Sequence, residues 1–206
     1  MSTRDKIMDV ALHMFSERGY EAVSIRDICG EVGIKESTLY YHFKNKKDIL
    51  DSLIEKFREH IDSLLVHVDE ITAEPDKKKK KKDDELGAQM MDSYMMDSYL
   101  FDPFCNLMLR LMMIEQFHNE ELRELYEKTL FTDPYEIQME VFKRLATVGT
   151  IPAEDVEWIV RETHSYMTML TFKYLLNGDL TEERKAAYHK EVFDYMAYAM
   201  GRRFKS

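Results

Sequence analysis

The chain contains little glycine and proline, with 7 Gly and 4 Pro among its 206 residues. Sheet proteins use these residues at their many turns, whereas the abundant Met, Leu, Glu and Lys favour long helices. Because 45% of the residues are hydrophobic, the chain can also fill a sizeable core. The composition therefore predicts an all-α globular protein.

Cysteine is almost absent, and Cys29 and Cys105 form neither a CxxC pair nor a Cys/His spacing. Neither a disulfide framework nor a zinc site is expected, and this usage fits a reducing cytosol. Cys29 is open to two interpretations, a buried filler of its helix or a redox sensor. The lack of a nearby partner cysteine favours the filler. We expect no metal and no cofactor.

No apolar run approaches the roughly 20 residues needed to span a bilayer, and the N-terminus has the pattern of an amphipathic helix. We therefore expect a cytoplasmic protein with no membrane segment. Motifs for catalysis are missing too, since the sequence has no HExxH, Gly-rich phosphate loop or nucleophile motif. His60 and His67 could share a helix face, but no motif joins them. An enzyme is thus the least favoured class, and no catalytic residue is predicted.

The formal net charge is −10, which at first sight argues against a DNA-binding protein. Residues 1–50, however, hold eight Lys/Arg and eight Asp/Glu, and subtracting these from the totals of 29 and 39 leaves 21 basic and 31 acidic residues downstream. The whole excess of negative charge lies after residue 50. Because an acidic body can carry a locally basic face, nucleic-acid binding is not excluded.

The first part of the chain predicts short helices separated by tight turns. Thr3 can cap a first helix that Gly19 closes. Ser24 and Asp27 have capping-box spacing for a second helix, which Gly33 ends. The sequence is helical again from about 36 to 43, and such a short turn makes two helices cross steeply.

A fourth helix, capped by Asn45, should run from about residue 46 to 72 and be roughly 40 Å long. Residues 74–87 include six consecutive lysines at 77–82 between acids, which we interpret as a mobile loop, with nucleic-acid contact as the alternative. The tandem MMDSY copies at 90–94 and 95–99 specify no structural period. Further helices are expected at about 104–130, after Pro134, at 153–176 and at 181–204, about nine in all.

The segment from residue 23 to 50, VSIRDICGEVGIKESTLYYHFKNKKDIL, strongly resembles the DNA-binding signature of the TetR family of tetracycline-repressor-like regulators. The positions that match in the family's spacing are Ser24, Ile25, Ile28, Gly33, Ile34, Thr38, Leu39, Tyr40, Tyr41, His42, Phe43, Lys46 and Leu50. The resemblance implies a helix-turn-helix domain at 1–50 and a helical ligand-binding and dimerisation domain at 51–206.

The helix after the turn can enter the major groove of double-stranded DNA with its first residues nearest the base edges. The resemblance adds backbone contacts from this helix and a phosphate contact from Lys46 at the start of the fourth helix, where a helix N-terminus favours anions. The predicted DNA-binding set is Ser24, Arg26, Lys35, Glu36, Ser37, Thr38, Tyr40, Tyr41, His42 and Lys46.

Two positions depart from the family pattern. Members commonly have a serine where this chain has Lys35, so the cap is missing, and a non-acidic residue near Glu36. Glu36 could accept from cytosine N4 or simply be solvated. Tyr40 could support packing as readily as touch a phosphate, and His42 could simply be exposed. The operator sequence therefore cannot be deduced.

Twelve of the 15 methionines lie at or after Met90, intermixed with aromatic residues. These side chains suit an adaptable pocket for a small apolar or planar effector, and they equally suit a helical core. The predicted pocket residues are Met108, Met112, Phe142, Tyr166 and Leu170.

The last two helices are long, and the resemblance implies that they pair across a two-fold axis in a homodimer. The predicted interface residues are Trp158, Phe172, Tyr195, Met196 and Met200. A symmetric dimer matches a palindromic operator. The expected function is a ligand-responsive repressor that its effector releases from DNA. The alternative is a helix-turn-helix interaction protein without ligand control.

Overall fold

The computed structural model describes residues 1–72, 96–147, 149 and 151–203. Within these residues it contains nine α-helices and no strand, which confirms the all-α prediction. The helices are α1 Thr3–Arg18, α2 Ile25–Val32, α3 Glu36–His42, α4 Lys46–Thr72, α5 Pro103–Glu115, α6 Glu120–Glu127, α7 Asp133–Thr147, α8 Val156–Leu170 and α9 Glu182–Arg203.

Shorter helical segments adjoin several of these helices. A 3₁₀ turn, Ala153–Asp155, precedes α8. The other three have π-helical hydrogen bonding and are Met96–Leu100, Lys128–Thr132 and Thr171–Leu176.

The first helix begins one residue earlier than predicted. Ser2, not Thr3, is its N-cap, because Ser2 has an acid three residues later: the Asp5 amide donates to Ser2 Oγ and the Ser2 amide donates to Asp5 Oδ2, both at 3.1 Å. Thr3 would have had Lys6 at that position, which cannot complete a capping box. Gly19 closes the helix as predicted, and its amide donates to the Phe15 carbonyl.

The next turns follow the predicted pattern. Ser24 and Asp27 form the capping box of α2, and Gly33 ends that helix in the left-handed region with φ +78°. Lys35 precedes α3 without a side-chain cap, as expected. Asn45 Oδ1 accepts from the Asp48 amide at 2.9 Å at the start of α4, whose bounds match the prediction.

Met1–Ser63 and Leu107–Tyr126 form one compact unit. This unit therefore holds the predicted helix-turn-helix segment together with most of α5 and with α6. Its core contains side chains with 2% exposure or less, among them Ile7, Leu12, Phe15, Ile28, Leu39, Phe43, Ile49, Leu53 and Phe57. Two exposed residues of α1 contact other parts of the same unit: Arg4 lies over the Phe43 ring, and Lys6 Nζ donates to the Val32 carbonyl at 3.0 Å.

The prediction of one helix over 104–130 is wrong. The helix ends at Glu115, and the His118 and Asn119 amides both donate to the Glu115 carbonyl. Asn119 then caps α6, with its Oδ1 accepting from the Leu122 amide at 3.1 Å. Because no Gly or Pro marks this turn, the apolar periodicity alone suggested an unbroken helix.

The described residues within Leu64–Asn106 and Glu127–Ser206 form the second compact unit. One cluster of its core lies between α8 and α9 and includes Phe101, Leu170, Leu175, Tyr188 and Val192. A second cluster joins α7 to α8 and includes Phe142, Leu145, Ile151, Val156, Ile159 and Val160.

Side chains distant in sequence hold carbonyl groups of two π segments in this unit. Tyr99 Oη donates to the Thr129 carbonyl at 2.9 Å, and Asn106 Nδ2 donates to the Leu175 carbonyl at 2.9 Å. Arg184 Nε donates to the Tyr174 carbonyl at 2.6 Å. Tyr174 and Leu175 lie at the end of their segment, where the last carbonyls of a helix have no partner within the helix, so these donors supply one.

The predicted loop at 74–87 and the first MMDSY copy lie outside the described residues. Of the second copy, residues 96–99 lie in the π segment Met96–Leu100. Among the helices that the structure describes, none is both long and apolar enough to cross a bilayer.

Candidate nucleic-acid interface

Helix α3 presents nearly its whole surface to solvent. Within this helix Leu39 alone is buried, and Phe43 at its end is also buried, so both belong to the core as expected. The residues predicted to approach base edges, Lys35, Glu36, Ser37 and Thr38, are all exposed. A short helix held on one apolar side leaves its polar side open to a groove of DNA.

The two tyrosines of α3 are the prominent exposed groups of this face. Tyr41 is 85% exposed, and its ring packs edge-on against His42 at 5.1 Å between centroids. Tyr40 is 52% exposed, so packing accounts for about half of its surface. Large exposed aromatic groups on a short surface helix are suited to contact with a partner surface.

Two predicted contacts lie at the start of α2. The Ser24 hydroxyl donates to Asp27 Oδ2 at 2.6 Å. The side-chain and backbone hydrogen bonds from Ser24 lower the pKa of the Asp27 carboxyl below its ordinary value. Ser24 is therefore already engaged in its own capping box, although the residue is exposed. Arg26 is exposed and lies in the first turn of the same helix.

Lys46, predicted to contact phosphate, starts α4 and is half-buried. Its Nζ donates to the Tyr20 carbonyl at 2.8 Å and lies 4.1 Å from the centroid of the Tyr20 ring. An ammonium group has three N–H donors, so this contact leaves donors for a phosphate. The neighbouring Lys47 pairs with Asp51 at 2.7 Å, and that hydrogen bond raises the pKa of Lys47.

Sequence reasoning missed Tyr20 and Glu115. The Tyr20 amide donates to Glu115 Oε1 at 2.8 Å, so Tyr20 uses its amide for Glu115 and its carbonyl for Lys46. The only local signal for Tyr20 is its place after the helix-closing Gly19. Nothing local marks Glu115, because the contact spans 95 residues.

The predicted pocket residues are largely packed. Met108, Met112 and Leu170 have no exposed surface, Phe142 is buried, and Tyr166 is half-buried. A cavity of about 670 Å³ lies instead beside α7 and α8. Its lining is Tyr135, Met139, Lys143, Ala146, Thr147, Ala153, Val156 and Glu157, which includes none of the five.

The predicted interface residues divide into three groups. Trp158 is 62% exposed, and Phe172, Tyr195 and Met196 are half-buried. The side chain of Met200 lies outside what the structure describes. Met169, Phe193 and Tyr198 are further exposed apolar residues of α8 and α9.

Cys29 has 4% exposure and lies in the core of the first unit. Burial raises the pKa of its thiol, and Glu36 adds to this effect. A buried thiol that stays protonated is a poor nucleophile, so the filler interpretation is the better one.

Three helices around one core, with an exposed third helix and a lysine at the next helix N-terminus, have the arrangement of a helix-turn-helix DNA-binding domain. Residues 7–53 match the model of bacterial regulatory proteins, tetR family. The N-terminal helices of this chain are therefore similar to the DNA-binding domain of bacterial regulatory proteins of the tetR family.

Two relatives match over about a third of the chain. The chain is 43% identical over 68 residues to IcaR of Staphylococcus epidermidis, the negative transcriptional regulator of the biofilm operon icaADBC, covering 32% of this chain and 37% of the relative. IcaR of Staphylococcus aureus strain Newman is 36% identical over 63 residues, covering 31% and 34%. The chain thus spans about a third of the length of the curated relatives it matches.

Solved structures share the fold over nearly the whole chain. A protein from Saccharomonospora viridis in complex with choline has TM-score 0.62 at 20% identity, covering 94% of both chains. A TerR/AcrR-family transcriptional regulator from Aquifex aeolicus has TM-score 0.59 at 14% identity, covering 94% and 99%. The SmeT–triclosan complex has TM-score 0.60 at 17% identity, covering 97% and 91%.

Proposed function

We propose that the protein is a repressor that binds a palindromic DNA operator as a homodimer in the cytoplasm and is released by a small apolar or planar effector. The exposed face of α3 carries this proposal, above all Tyr41 with 85% of its surface exposed. Lys46 at the N-terminus of α4 adds a cation where a helix end already favours phosphate. Repression is supported by the IcaR relatives, which are negative transcriptional regulators.

Genomic-fragment selection with the purified full chain, followed by gel shifts on the best fragment, tests DNA binding. We expect Lys46→Ala to weaken binding and to reduce the slope of log K against log salt by about one, as loss of a phosphate contact does. Lys190→Ala removes the same charge from an exposed position of α9 and should leave the salt slope unchanged. If no fragment is enriched even at low salt, the DNA-binding proposal is wrong.

Tyr41 can be tested without disturbing the fold, because its side chain packs on so little of the protein. Tyr41→Ala should weaken operator binding while the melting temperature stays within a degree or two of the parent. Tyr41→Phe separates the contribution of the ring from that of the hydroxyl. Binding by Tyr41→Ala equal to that of the parent would remove Tyr41 from the contact surface.

The homodimer is supported by exposed apolar groups on α8 and α9, with Trp158 62% and Phe193 68% exposed. A symmetric interface that buries them would supply the hydrophobic area that an isolated chain leaves in water. We expect Trp158→Glu and Phe193→Glu to sediment as monomers. Phe117→Glu, which changes another exposed phenylalanine outside α8 and α9, should sediment like the parent.

The effector part of the proposal is supported by the cavity beside α7 and α8, whose lining is mainly apolar with Lys143 and Glu157 at hand. Two fold neighbours were solved with the small molecules choline and triclosan. Four of the five predicted pocket residues are buried in this structure, so a ligand among them would require the core to open.

Choline and triclosan, one cationic and one planar, are suitable first probes of this site. A binding probe should raise the melting temperature and release the DNA fragment. A probe that raises the melting temperature without releasing DNA would contradict effector control by that compound.

A further inference from the structure

Glu115 is an unusual buried residue. It is 6% exposed, and among the buried side chains of the described residues it is the sole carboxylate. Burying a carboxylate is costly unless it is hydrogen-bonded, and its Oε1 accepts from the Tyr20 amide at 2.8 Å, a distance typical of a charge-assisted hydrogen bond.

The chain at Gly19 is shaped to allow this approach. Gly19 has φ +82°, and a Cβ built there would lie 3.1 Å from Glu115 Oε1 and 3.5 Å from Ile114 Cγ2. A side chain at this position would therefore crowd the carboxylate as well as strain the backbone. The absence of a side chain lets α5 end directly against the loop that follows α1.

Tyr20 is fixed from several directions. The Tyr20 amide donates to Glu115, and the Tyr20 carbonyl accepts from Lys46 Nζ at 2.8 Å. The Tyr20 ring packs edge-on against Phe15 at 5.2 Å between centroids. The same ring lies 4.1 Å from Lys46 Nζ, so the ammonium is held by a carbonyl and an aromatic face together. A lysine on a flexible four-carbon stem loses much of its freedom in such a contact.

We propose that Glu115 is a positioning residue for the DNA contact of Lys46, acting through Tyr20. Glu115 holds the Tyr20 backbone, Tyr20 holds the Lys46 ammonium, and the ammonium is thereby preorganised for a phosphate at the N-terminus of α4. This inference rests on the proposed function, because it requires that Lys46 contacts DNA.

A double-mutant cycle on DNA affinity tests the proposal, with the full chain, a 30-base-pair duplex of arbitrary sequence at low salt and the best selected fragment as probes. The variants are Glu115→Met, Lys46→Met and the double substitution. Methionine keeps roughly the volume of Glu115 but removes the acceptor of the Tyr20 amide, so some loss of stability is expected and the melting temperature of each variant is measured first. If Glu115→Met melts below the assay temperature, the cycle is repeated at a lower temperature at which every variant is folded.

We expect Glu115→Met to weaken binding about fivefold and to make the salt slope shallower by up to about 0.9, the value for one phosphate contact. In the Lys46→Met background the same change should cost less than about twofold, because coupled residues are not additive. Glu115→Gln keeps an acceptor for the Tyr20 amide and should bind within about twofold of the parent.

The matched control is Glu124→Met, which removes one negative charge from an exposed position of α6 in the same unit. Charge alone predicts slightly tighter DNA binding for both variants, the opposite of what lost positioning predicts for Glu115→Met. Additive losses with an unchanged salt slope would overturn the positioning role and leave the proposed function intact. A parent chain that binds neither duplex would overturn both.

Discussion

The two compact units differ in what fixes their helices. In the first unit the caps come from neighbours in the chain, as in the Ser24–Asp27 pair, whose members lie three residues apart. In the second unit the π segments depend on donors 30 and 69 residues away, Tyr99 for the Thr129 carbonyl and Asn106 for the Leu175 carbonyl. Helices of the first kind are specified locally, whereas those of the second kind require the assembled core.

The largest expected effect is at Asn106. Asn106→Leu keeps the size of the side chain but leaves the buried Leu175 carbonyl without its donor, which should lower the free energy of unfolding by about 2 kcal/mol. Denaturant unfolding measures the loss, and hydrogen exchange should show faster opening of the segment 171–176. Asn177→Ala, at an exposed neighbouring position, should change the free energy by less than about 0.5 kcal/mol.

A local cap should matter less. Ser24→Ala removes the acceptor for the Asp27 amide and should lower the free energy of unfolding by about 1 kcal/mol. Ser37→Ala, in the exposed first turn of α3, should affect stability little while weakening DNA binding. An equal loss of stability from both changes would contradict the assignment of Ser24 as the cap.

The missing cap of α3 can be restored. Lys35→Ser supplies a side-chain acceptor at the N-cap and should raise the free energy of unfolding by about 0.5 to 1 kcal/mol. Lys35→Ala removes the same charge without adding an acceptor, so the difference between the two variants isolates the cap. No difference in thermal unfolding would show that a cap adds nothing at this turn.

The smallest effect is expected at Glu191, where the hydroxyls of Tyr174 and Tyr166, followed by the Lys173 ammonium, lower the pKa of the carboxyl. Its stabilising contribution is therefore complete above the unfolded-state pKa of about 4.3 and is lost as the pH falls through the lower folded pKa. Melting temperatures of Glu191→Gln should drop less than those of the parent between pH 5 and strong acid. Parallel curves would contradict this linkage.

The same difference explains what the sequence could predict. The bounds of α4, the capping box of α2 and the glycine ends of α1 and α2 follow from residues adjacent in the chain. The cap at Ser2 was also predictable, because Asp5 stands three residues later, but Thr3 competed for the same role. The exposed residues of α3 could be predicted because many positions of the segment from residue 23 to 50 match the family pattern together.

The features that could not be predicted depend on contacts between residues far apart in the sequence. The break after Glu115 has no Gly or Pro, and the π segments carry no local signal. Glu115 meets Tyr20 across 95 residues, so neither spacing nor periodicity could join them. The cavity beside α7 and α8 arises where α7, the 3₁₀ turn and α8 pack together, so residue types alone could not locate it.

Trp158 is the sole tryptophan of the chain, and it is 62% exposed on α8. Its indole emission therefore originates from one position, in a polar environment when the chain is alone. Burial of that ring in a dimer would shift the emission maximum to shorter wavelength and slow quenching by acrylamide. The protein thus carries an intrinsic fluorescent reporter that tests the proposed dimer by simple dilution, without a dye or label.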